Sequence, residues 1–281
     1  MLTIKRARPH PLLQPFVHLY VHRQTFAGAG EIVEPVVARL GAMLEFQFAT
    51  PYEIPVCGTT LSLKCPRIVV VGPVTHRRVQ LVIRDHVEAL VVLFTPLGFR
   101  ALFGIPMQRL TDVGVEGDGA LGNGVSALYE RLGNTVTFSD RTRILDSFLI
   151  SRLCKSSQPD LVTRAFERLI VSGQSVTEVA RQSGMSERQL ERKALDYMGL
   201  SPKMLVRIAR FQRAVRIKTQ SASSWTEVAQ SAGYYDQMHM VRDFREFAGD
   251  SPSRAVEQIS SGHLIILSSL RSRLATEWGV P

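Results

Sequence analysis

Two stretches in the C-terminal half of the chain carry side chains that suit contact with nucleic acid. Arginine can donate to guanine O6 and N7 or to a phosphate, and glutamine can pair with adenine N6 and N7. The side chains concerned are Arg188, Gln189 and Arg192 in the first stretch and Gln237, His239 and Arg242 in the second. Either set alone is more simply explained as a solvated polar face. Two sets at matching positions of a basic chain favour DNA recognition.

The two stretches are copies of one helical unit. The segment VTEVARQSGM, which starts at Val176, aligns without a gap with WTEVAQSAGY, which starts at Trp225. Gly184 and Gly233 can adopt the positive φ that a tight turn between two helices requires. The residues expected between the paired helices are Val179, Ala180 and Leu190 in the first copy and Val228, Ala229, Met240 and Phe244 in the second. The pattern predicts two helix-turn-helix units whose second helices expose the polar sets.

Further DNA contacts are predicted at the edges of these units. Ser186 and Tyr235 lie where the second helices begin. Between the copies, the segment SPKMLVRIARFQRAVRIKT has apolar residues at helical spacing, and Arg207 and Arg210 lie largely off that stripe. We expect one rigid helix that holds the two units apart, with both arginines among the DNA-binding residues.

The run from about residue 159 to residue 255 resembles the DNA-binding domain of AraC/XylS-type transcriptional regulators. The matching segments are TEVARQSGMSERQLERKALDYMGLSP, RIARFQRAV and, most diagnostic, WTEVAQSAGYYDQMHMVRDFREFAGDSP. Ala194 departs from the family pattern, which usually has a large apolar residue there. The resemblance covers roughly a third of the chain, and it implies sequence-specific control of transcription.

The N-terminal half has the short, closely spaced apolar runs of a β-rich domain. Runs at 16–26, 43–49, 67–72, 78–84 and 87–96 are separated by turn residues, and helical patterns follow at 99–106, 125–133 and 137–154. This spacing predicts a small β-sandwich or β-barrel followed by helices. An apolar stripe on the last helix is interpreted either as core or as a dimer seam. The apolar residues that could line an effector pocket, or simply form core, are Tyr20, Leu44, Phe46, Val92 and Phe94.

The same half resembles the sensor-like domains that accompany the DNA-binding module in a subset of that family. The segments RPHPLLQPFVHLYVH and LFTPLGFRALFGIPMQRLTD carry this resemblance. It implies a cupin-like β-barrel with dimerising helices, and a role in sensing a small molecule or in dimerisation. The effector is not specified by it.

The composition agrees with a globular protein that binds a polyanion. The formal net charge is +9 in 281 residues, and 45% of the residues are hydrophobic. The sequence predicts promoter DNA as the main partner, with RNA polymerase, a small-molecule effector and a second copy of the chain as further candidates. It predicts no membrane association and no signal peptide, and therefore a cytoplasmic location.

Two enzyme classes and one non-enzyme class compete with this interpretation. A barrel with His18, His22, His76 or His86 as ligands could be a metal enzyme, but the usual spacing of metal-binding histidines is missing. Cys57 or Cys65 beside a base could transfer alkyl groups, but nothing around them indicates an activated thiolate. A dimeric scaffold that binds DNA weakly is the third alternative. We expect no catalytic residues, no metal and no cofactor.

These observations predict an α+β fold with two domains. The β-rich domain is expected at 1–154, an interdomain linker at 155–160, and the DNA-binding domain at 161–258. A C-terminal tail of unassigned role is expected at 259–281.

Overall fold

The computed structural model describes residues 2–28, 30–55, 60–76, 79–153 and 161–260. The α+β class is confirmed, with antiparallel sheets in the N-terminal half and helices in the C-terminal half. The predicted linker at 155–160 and all but the first two residues of the predicted tail lie outside these ranges.

The strands form two separate antiparallel sheets, which we call sheet A and sheet B. Sheet A has six strands in the order β1-β2-β9-β4-β7-β10, and sheet B has four in the order β3-β8-β5-β6. The strands are β1 (Leu2–Ala7), β2 (Val17–Phe26), β3 (Ile32–Pro35), β4 (Met43–Gln47), β5 (Glu53–Pro55), β6 (Ser62–Lys64), β7 (Ile68–Val71), β8 (Gln80–Ile83), β9 (His86–Phe94) and β10 (Gly114–Glu116). The described strands therefore form two sheets that are not closed into one, which agrees with the predicted small sandwich or cupin-like barrel.

Helices follow the strands and fill the C-terminal half. In the N-terminal half these are α1 (Gly98–Phe103), α2 (Gly117–Leu121), α3 (Gly124–Gly133) and α4 (Phe138–Leu153). In the C-terminal half they are α5 (Leu161–Ser172), α6 (Val176–Gln182), α7 (Glu187–Met198), α8 (Pro202–Gln220), α9 (Trp225–Ala232), α10 (Gln237–Ala248) and α11 (Pro252–Ser260). Two 3-10 turns, Pro11–Leu13 and Met107–Arg109, complete the described elements.

The inner strands of sheet A are buried on both faces, and the alternation of their side chains separates two cores. On β4, for example, Leu44 and Phe46 pack with the helices α1, α3 and α4, whereas Met43 belongs to a second core shared with sheet B. The apolar stripe of α4 packs onto the first core, where Leu145 and Leu149 are fully buried. Of the two predicted roles of this stripe, core or dimer seam, the described chain therefore shows core packing.

The C-terminal helices share one continuous core. α8 runs through it and contacts helices of both repeated units, with Leu205, Ile208 and Phe211 fully buried. Ala194 is also fully buried there. α11 continues to Ser260, two residues into the predicted tail, and Ile259 is only 1% exposed in this core.

Candidate nucleic-acid interface

Each of the two helix pairs is defined by its own capping residues. Ser186 starts α7 with a capping box, in which its hydroxyl accepts from the Gln189 N–H and the Gln189 carboxamide oxygen accepts from the Ser186 N–H. Asp236 starts α10 by accepting from the His239 N–H at 2.6 Å. Such caps satisfy backbone donors that the first helical turn leaves unpaired, so both second helices begin at a defined residue.

The turns and contacts between the paired helices match the prediction. Gly184 has φ +63° and Gly233 has φ +86°, which are left-handed values that glycine adopts without strain. Ala180 and Ala229 are each 2% exposed, as a close crossing of two helices requires. The larger predicted contacts, Val179, Leu190, Val228, Met240 and Phe244, are fully buried.

The first polar set projects into solvent from the start of α7. Arg188, Gln189 and Arg192 are exposed, as is Ser186. The capping box engages the Gln189 oxygen at 2.8 Å from the Ser186 nitrogen, so Nε2 is the part of that side chain left to donate to a base or phosphate. Ser186 is likewise engaged as a cap, which orients it at the helix N-terminus.

The second polar set is exposed around the start of α10. Tyr235 is 93% exposed, and Gln237 and Arg242 are also exposed. His239 is half-buried, with its ring 5.6 Å from the Tyr234 ring. Met238 lies on the same surface with 59% exposure. Because Tyr235 and Met238 are exposed beside the polar set, the start of α10 can make apolar contacts as well as hydrogen bonds.

The arginines of α8 are engaged within the protein. Arg207 forms ion pairs with Asp243 and Glu246 of α10, both at 2.6 Å, and stacks on Phe247. Arg210 donates to the Gly233 carbonyl at 3.4 Å and lies over the Tyr234 ring. The structure thus places these two predicted DNA contacts between α8 and the second unit.

Two further residues of this region were not predicted. Arg213 donates to the Val171 carbonyl at 2.8 Å and to the Ala232 carbonyl at 3.4 Å, so it joins the ends of α5 and α9. Asp243 has a side chain only 1% exposed and serves as the buried partner of Arg207. Their spacing on α8 and α10 suggested solvated faces, and only the packing of the helices brings their partners near.

The apolar residues considered for an effector pocket lie on the helix-covered face of sheet A. Tyr20, Leu44, Phe46 and Val92 are fully buried, and Phe94 is 4% exposed. The Tyr20 hydroxyl donates to Asp146 of α4 at 2.8 Å. Burial, followed by that carboxylate, raises the pKa of Tyr20 well above its ordinary value. A pocket among these five residues stays a prediction.

His22 and His76 each contact a neighbouring polar side chain. His22 contacts Glu88 at 3.0 Å, and His76 contacts the Thr75 hydroxyl at 2.7 Å. Within the described ranges, no group of three or more His, Cys, Asp or Glu side chains has the arrangement of a metal site. Burial, together with Glu45, raises the pKa of the Cys65 thiol to about 12, so this thiol is protonated at neutral pH.

The N-terminal domain packs against both helix-turn-helix units. Arg100 pairs with Asp196 near the end of α7 at 3.2 Å, and the Thr111 hydroxyl donates to the Gly199 carbonyl at 2.7 Å. The Ala38 N–H donates to the Phe247 carbonyl at the end of α10. These contacts involve the C-terminal ends of α7 and α10, whereas the polar sets lie toward the N-terminal ends.

Comparisons with family models match two separate parts of the chain. Residues 179–258 match the family described as helix-turn-helix domain, and residues 5–116 match a domain of unknown function, DUF6597. A comparison with curated proteins found no match. None of the described helices has the length and hydropathy of a bilayer-spanning segment.

Two solved structures illustrate the likeness. Apo ToxT from Vibrio cholerae aligns at 9% identity over 85% of this chain and 97% of that chain, with a TM-score of 0.50. The AraC-like transcriptional activator CuxR aligns at 12% identity over 76% of this chain and 86% of that chain, with a TM-score of 0.23. At 9% identity, the likeness to ToxT concerns the fold alone.

Proposed function

The chain belongs to the AraC/XylS family of DNA-binding transcriptional regulators, and on that premise we propose that one chain reads two short DNA boxes through α7 and α10. The observation that carries this proposal is the pair of exposed polar sets at the starts of two equivalent helices. Both helices are attached to α8, so their separation is set by one rigid element.

The dimensions of α8 agree with two successive major grooves. Its 19 residues span about 28 Å at 1.5 Å per residue. Major-groove faces on one side of B-DNA recur every 34 to 36 Å or so, which two helices of about this separation can reach. Arg207, Arg210 and Arg213 tie α8 to the surrounding helices, so the separation of the two units is maintained by ion pairs and hydrogen bonds.

Each box is expected to depend on its own side chains. Arg188, Arg192 and the free Nε2 of Gln189 would contact the first box. Gln237 and Arg242 would contact the second, with Tyr235 and His239 at its edge. A side chain that reads a base contributes about 1 to 3 kcal/mol of discrimination, whereas one that touches only phosphate weakens all sequences alike.

Arg192 and Arg242 occupy equivalent positions of the repeat and provide a matched experiment. DNA fragments bound by the full chain would first be selected from random sequence and footprinted. Arg192→Ala and Arg242→Ala would then be titrated against operators mutated one box at a time. We expect each variant to lose preference within a different box. Identical specificity profiles for the two variants would contradict two-box reading, and loss confined to Arg192→Ala would assign α10 to backbone contact.

We further propose that the N-terminal domain controls the pose of the two units. Its contacts at Asp196, Gly199 and Phe247 involve both second helices at the ends opposite the polar sets. The contact between the N-terminal domain and the two units can have two arrangements that differ in DNA affinity. A small molecule or a second copy of the chain that binds one arrangement more tightly would then shift the DNA affinity of the protein. The size of the shift is limited by the difference between the ligand's affinities for the two arrangements. RNA polymerase is the further partner that transcriptional control implies, and a DNA target implies a cytoplasmic location. We propose no catalytic activity and no metal or other cofactor.

A further inference from the structure

The two helix-turn-helix units share one hydrogen bond that links their first helix to the start of their second. In the first unit, the Thr177 hydroxyl of α6 donates to Glu187 Oε1 at 2.6 Å. In the second unit, the Thr226 hydroxyl of α9 donates to Gln237 Oε1 at 3.3 Å. Both acceptors are the first residue of their helix. The same contact therefore occurs at equivalent positions of the repeat, and it orients a carboxylate in one copy and a carboxamide in the other.

These threonine bonds are not needed to begin the second helices. The box between Ser186 and Gln189 caps α7, and the Asp236 side chain caps α10. A glutamate at the first position of a helix interacts favourably with the helix dipole, but that interaction requires no hydrogen bond from another helix. Glu187 and Gln237 are both exposed at the helix starts, where the polar sets lie. The threonines therefore position side chains that face the proposed DNA surface.

A carboxylate on a surface that meets DNA is repelled by phosphate and so lowers the affinity for every sequence alike. Among the described residues, the Glu187 side chain accepts from the neutral Thr177 hydroxyl, and no cationic side chain pairs with it. The base group that compensates a carboxylate in the major groove is the N4 amino group of cytosine. Adenine N6 is also a donor, but it lies beside the N7 acceptor, which repels a carboxylate. Glu187 is therefore suited to cytosine.

The carboxamide at the equivalent position presents the opposite chemistry. Because Gln237 Oε1 accepts from Thr226, its Nε2 group lies away from that hydroxyl and has two N–H donors. Guanine presents two neighbouring acceptors in the major groove, O6 and N7, whereas cytosine presents a donor. The bonded carboxamide therefore favours guanine. Without the threonine bond, the carboxamide can turn over and pair with adenine through both of its polar atoms.

We propose that Glu187 is a base-reading residue that accepts from the N4 amino group of cytosine in the first box, with its carboxylate positioned by the Thr177 hydroxyl. The equivalent pair, Thr226 and Gln237, selects guanine at the corresponding position of the second box. The two boxes therefore contain a G·C base pair in opposite orientations at this position. This inference rests on the proposed function and names one base in each box.

Single base-pair substitutions test the role of Glu187. The full chain would be titrated with a duplex that it selects from random sequence, and with duplexes that carry each other base pair at each position of the first box. We expect one position at which the wild type prefers cytosine by about fivefold or more, as a specific base contact provides. Glu187→Gln should lose that preference and bind the substituted duplexes as well as the wild type or better, because a negative charge is removed. A wild-type profile in Glu187→Gln at every position would overturn the proposal.

A second glutamate of the same unit provides the matched control. Both carboxylate oxygens of Glu178 accept from Arg181, so this carboxylate is already engaged within α6. Glu178→Gln removes the same charge and should keep the cytosine preference; equal loss in both variants would show an effect of charge alone and overturn base reading by Glu187. Thr177→Val keeps the shape of the threonine and should weaken the preference several-fold with an unchanged Tm. A full preference in Thr177→Val would overturn the positioning role.

Exchange of the side chain in the second unit tests for a gain of preference, which misfolding cannot produce. Gln237→Glu should change the preferred base at the corresponding position of the second box from guanine to cytosine, because Thr226 can donate to a carboxylate as Thr177 does. Thr226→Val should admit adenine at that position, since the carboxamide is then free to turn. A guanine preference that persists in Gln237→Glu, or a wild-type preference for adenine, would overturn the assignment in the second box.

The outcomes distinguish this inference from the two-box proposal. A preference lost from the first box in Arg192→Ala, beside an unchanged profile in Glu187→Gln, would overturn the role of Glu187 and leave two-box reading intact. Identical profiles for Arg192→Ala and Arg242→Ala, beside a cytosine preference that is lost in Glu187→Gln, would contradict two-box reading and still support base reading by Glu187.

Discussion

The backbone N–H of Ala38 donates to the carbonyl of Phe247 at 2.9 Å, and this bond joins the N-terminal domain to the end of the second DNA-facing helix. Val37, Ala38 and Leu40 belong to the same core as the C-terminal helices. A carbonyl at a helix C-terminus lacks an intrahelical donor, so the Ala38 N–H supplies a hydrogen bond that α10 cannot provide for itself. The two domains are therefore held together by backbone bonding as well as by side-chain packing.

Two glycines with nearly equal φ allow the domain contact to be tested. Gly199 and Gly184 have φ +70° and +63°, so alanine at either position costs about 1 to 2 kcal/mol of backbone strain. A Cβ on Gly199 would also lie against the Thr111 hydroxyl and 2.8 Å from the Met107 carbonyl, whereas a Cβ on Gly184 would meet nothing within 4 Å. We expect Gly199→Ala to destabilise the full chain more than Gly184→Ala in chemical denaturation. Equal losses would mean that the contact at Gly199 does not hold in solution.

The ion pair between Arg207 and Asp243 should stabilise the second unit. Arg207→Met leaves a carboxylate with 1% side-chain exposure unpaired, and removing one partner of a buried pair costs about 3 kcal/mol. Glu246→Gln, which removes the 45% exposed partner of the same arginine, should cost less than about 1 kcal/mol. Urea denaturation of both variants checks the difference. A loss of operator affinity in Arg207→Met without a loss of stability would instead return Arg207 to the DNA interface.

The pair His22 and Glu88 predicts a loss of stability in mild acid. Burial lowers the pKa of His22, against the opposing effect of Glu88, so the unfolded chain binds the proton more readily than the native protein. Stability is therefore greatest with His22 neutral and falls as the pH decreases below about 6.5, the ordinary histidine value.

Glu88 also makes the protein less stable as the pH falls, but in a lower pH range than His22. Burial raises its pKa, but hydrogen bonds from Arg141 and His22 outweigh burial and lower it overall, so its contribution is lost only as the pH falls through the carboxylate range. Melting between about pH 7.5 and pH 5.5 covers the range in which histidine binds its proton, and the variants identify the part that belongs to His22. His22→Gln should flatten the decline relative to the wild type, while His86→Gln on β9 should keep it. Parallel profiles for all three proteins would contradict the assignment.

The C-terminal helices should fold and bind DNA without the rest of the chain. A fragment from about residue 157 to 260 keeps their common core, apart from four N-terminal residues that pack on it, Val37, Ala38, Leu40 and Leu97. Its DNA affinity should fall steeply with salt, because arginine contacts to phosphate displace counterions. A fragment that ends at residue 258 lacks the buried Ile259 and should be less stable by about 2 kcal/mol. A folded 157–260 fragment that fails to bind DNA at low salt would refute the domain assignment.

The repeated helical unit was predictable from the sequence because the signals that define it are local. Ser186 and Asp236 cap helices through neighbours three residues away, and Gly184 and Gly233 adopt a φ that other residues avoid. The buried side of each helix follows from its 3.6-residue period. The sequence alone therefore assigns residues such as Val179 and Phe244 to the core.

Only the tertiary structure decides which elements and side chains contact one another across the fold. Alternation along β4 places Leu44 and Phe46 on one face of the strand and Glu45 and Gln47 on the other. The alternation does not show which of the two faces packs against the helices and which packs against sheet B. Arg207 reads as a surface arginine in its own helix, and only the packing of α8 on α10 brings it to Asp243, far away in the sequence. Capping and periodicity act over a few residues, whereas these contacts depend on where distant elements are placed, which no local pattern encodes.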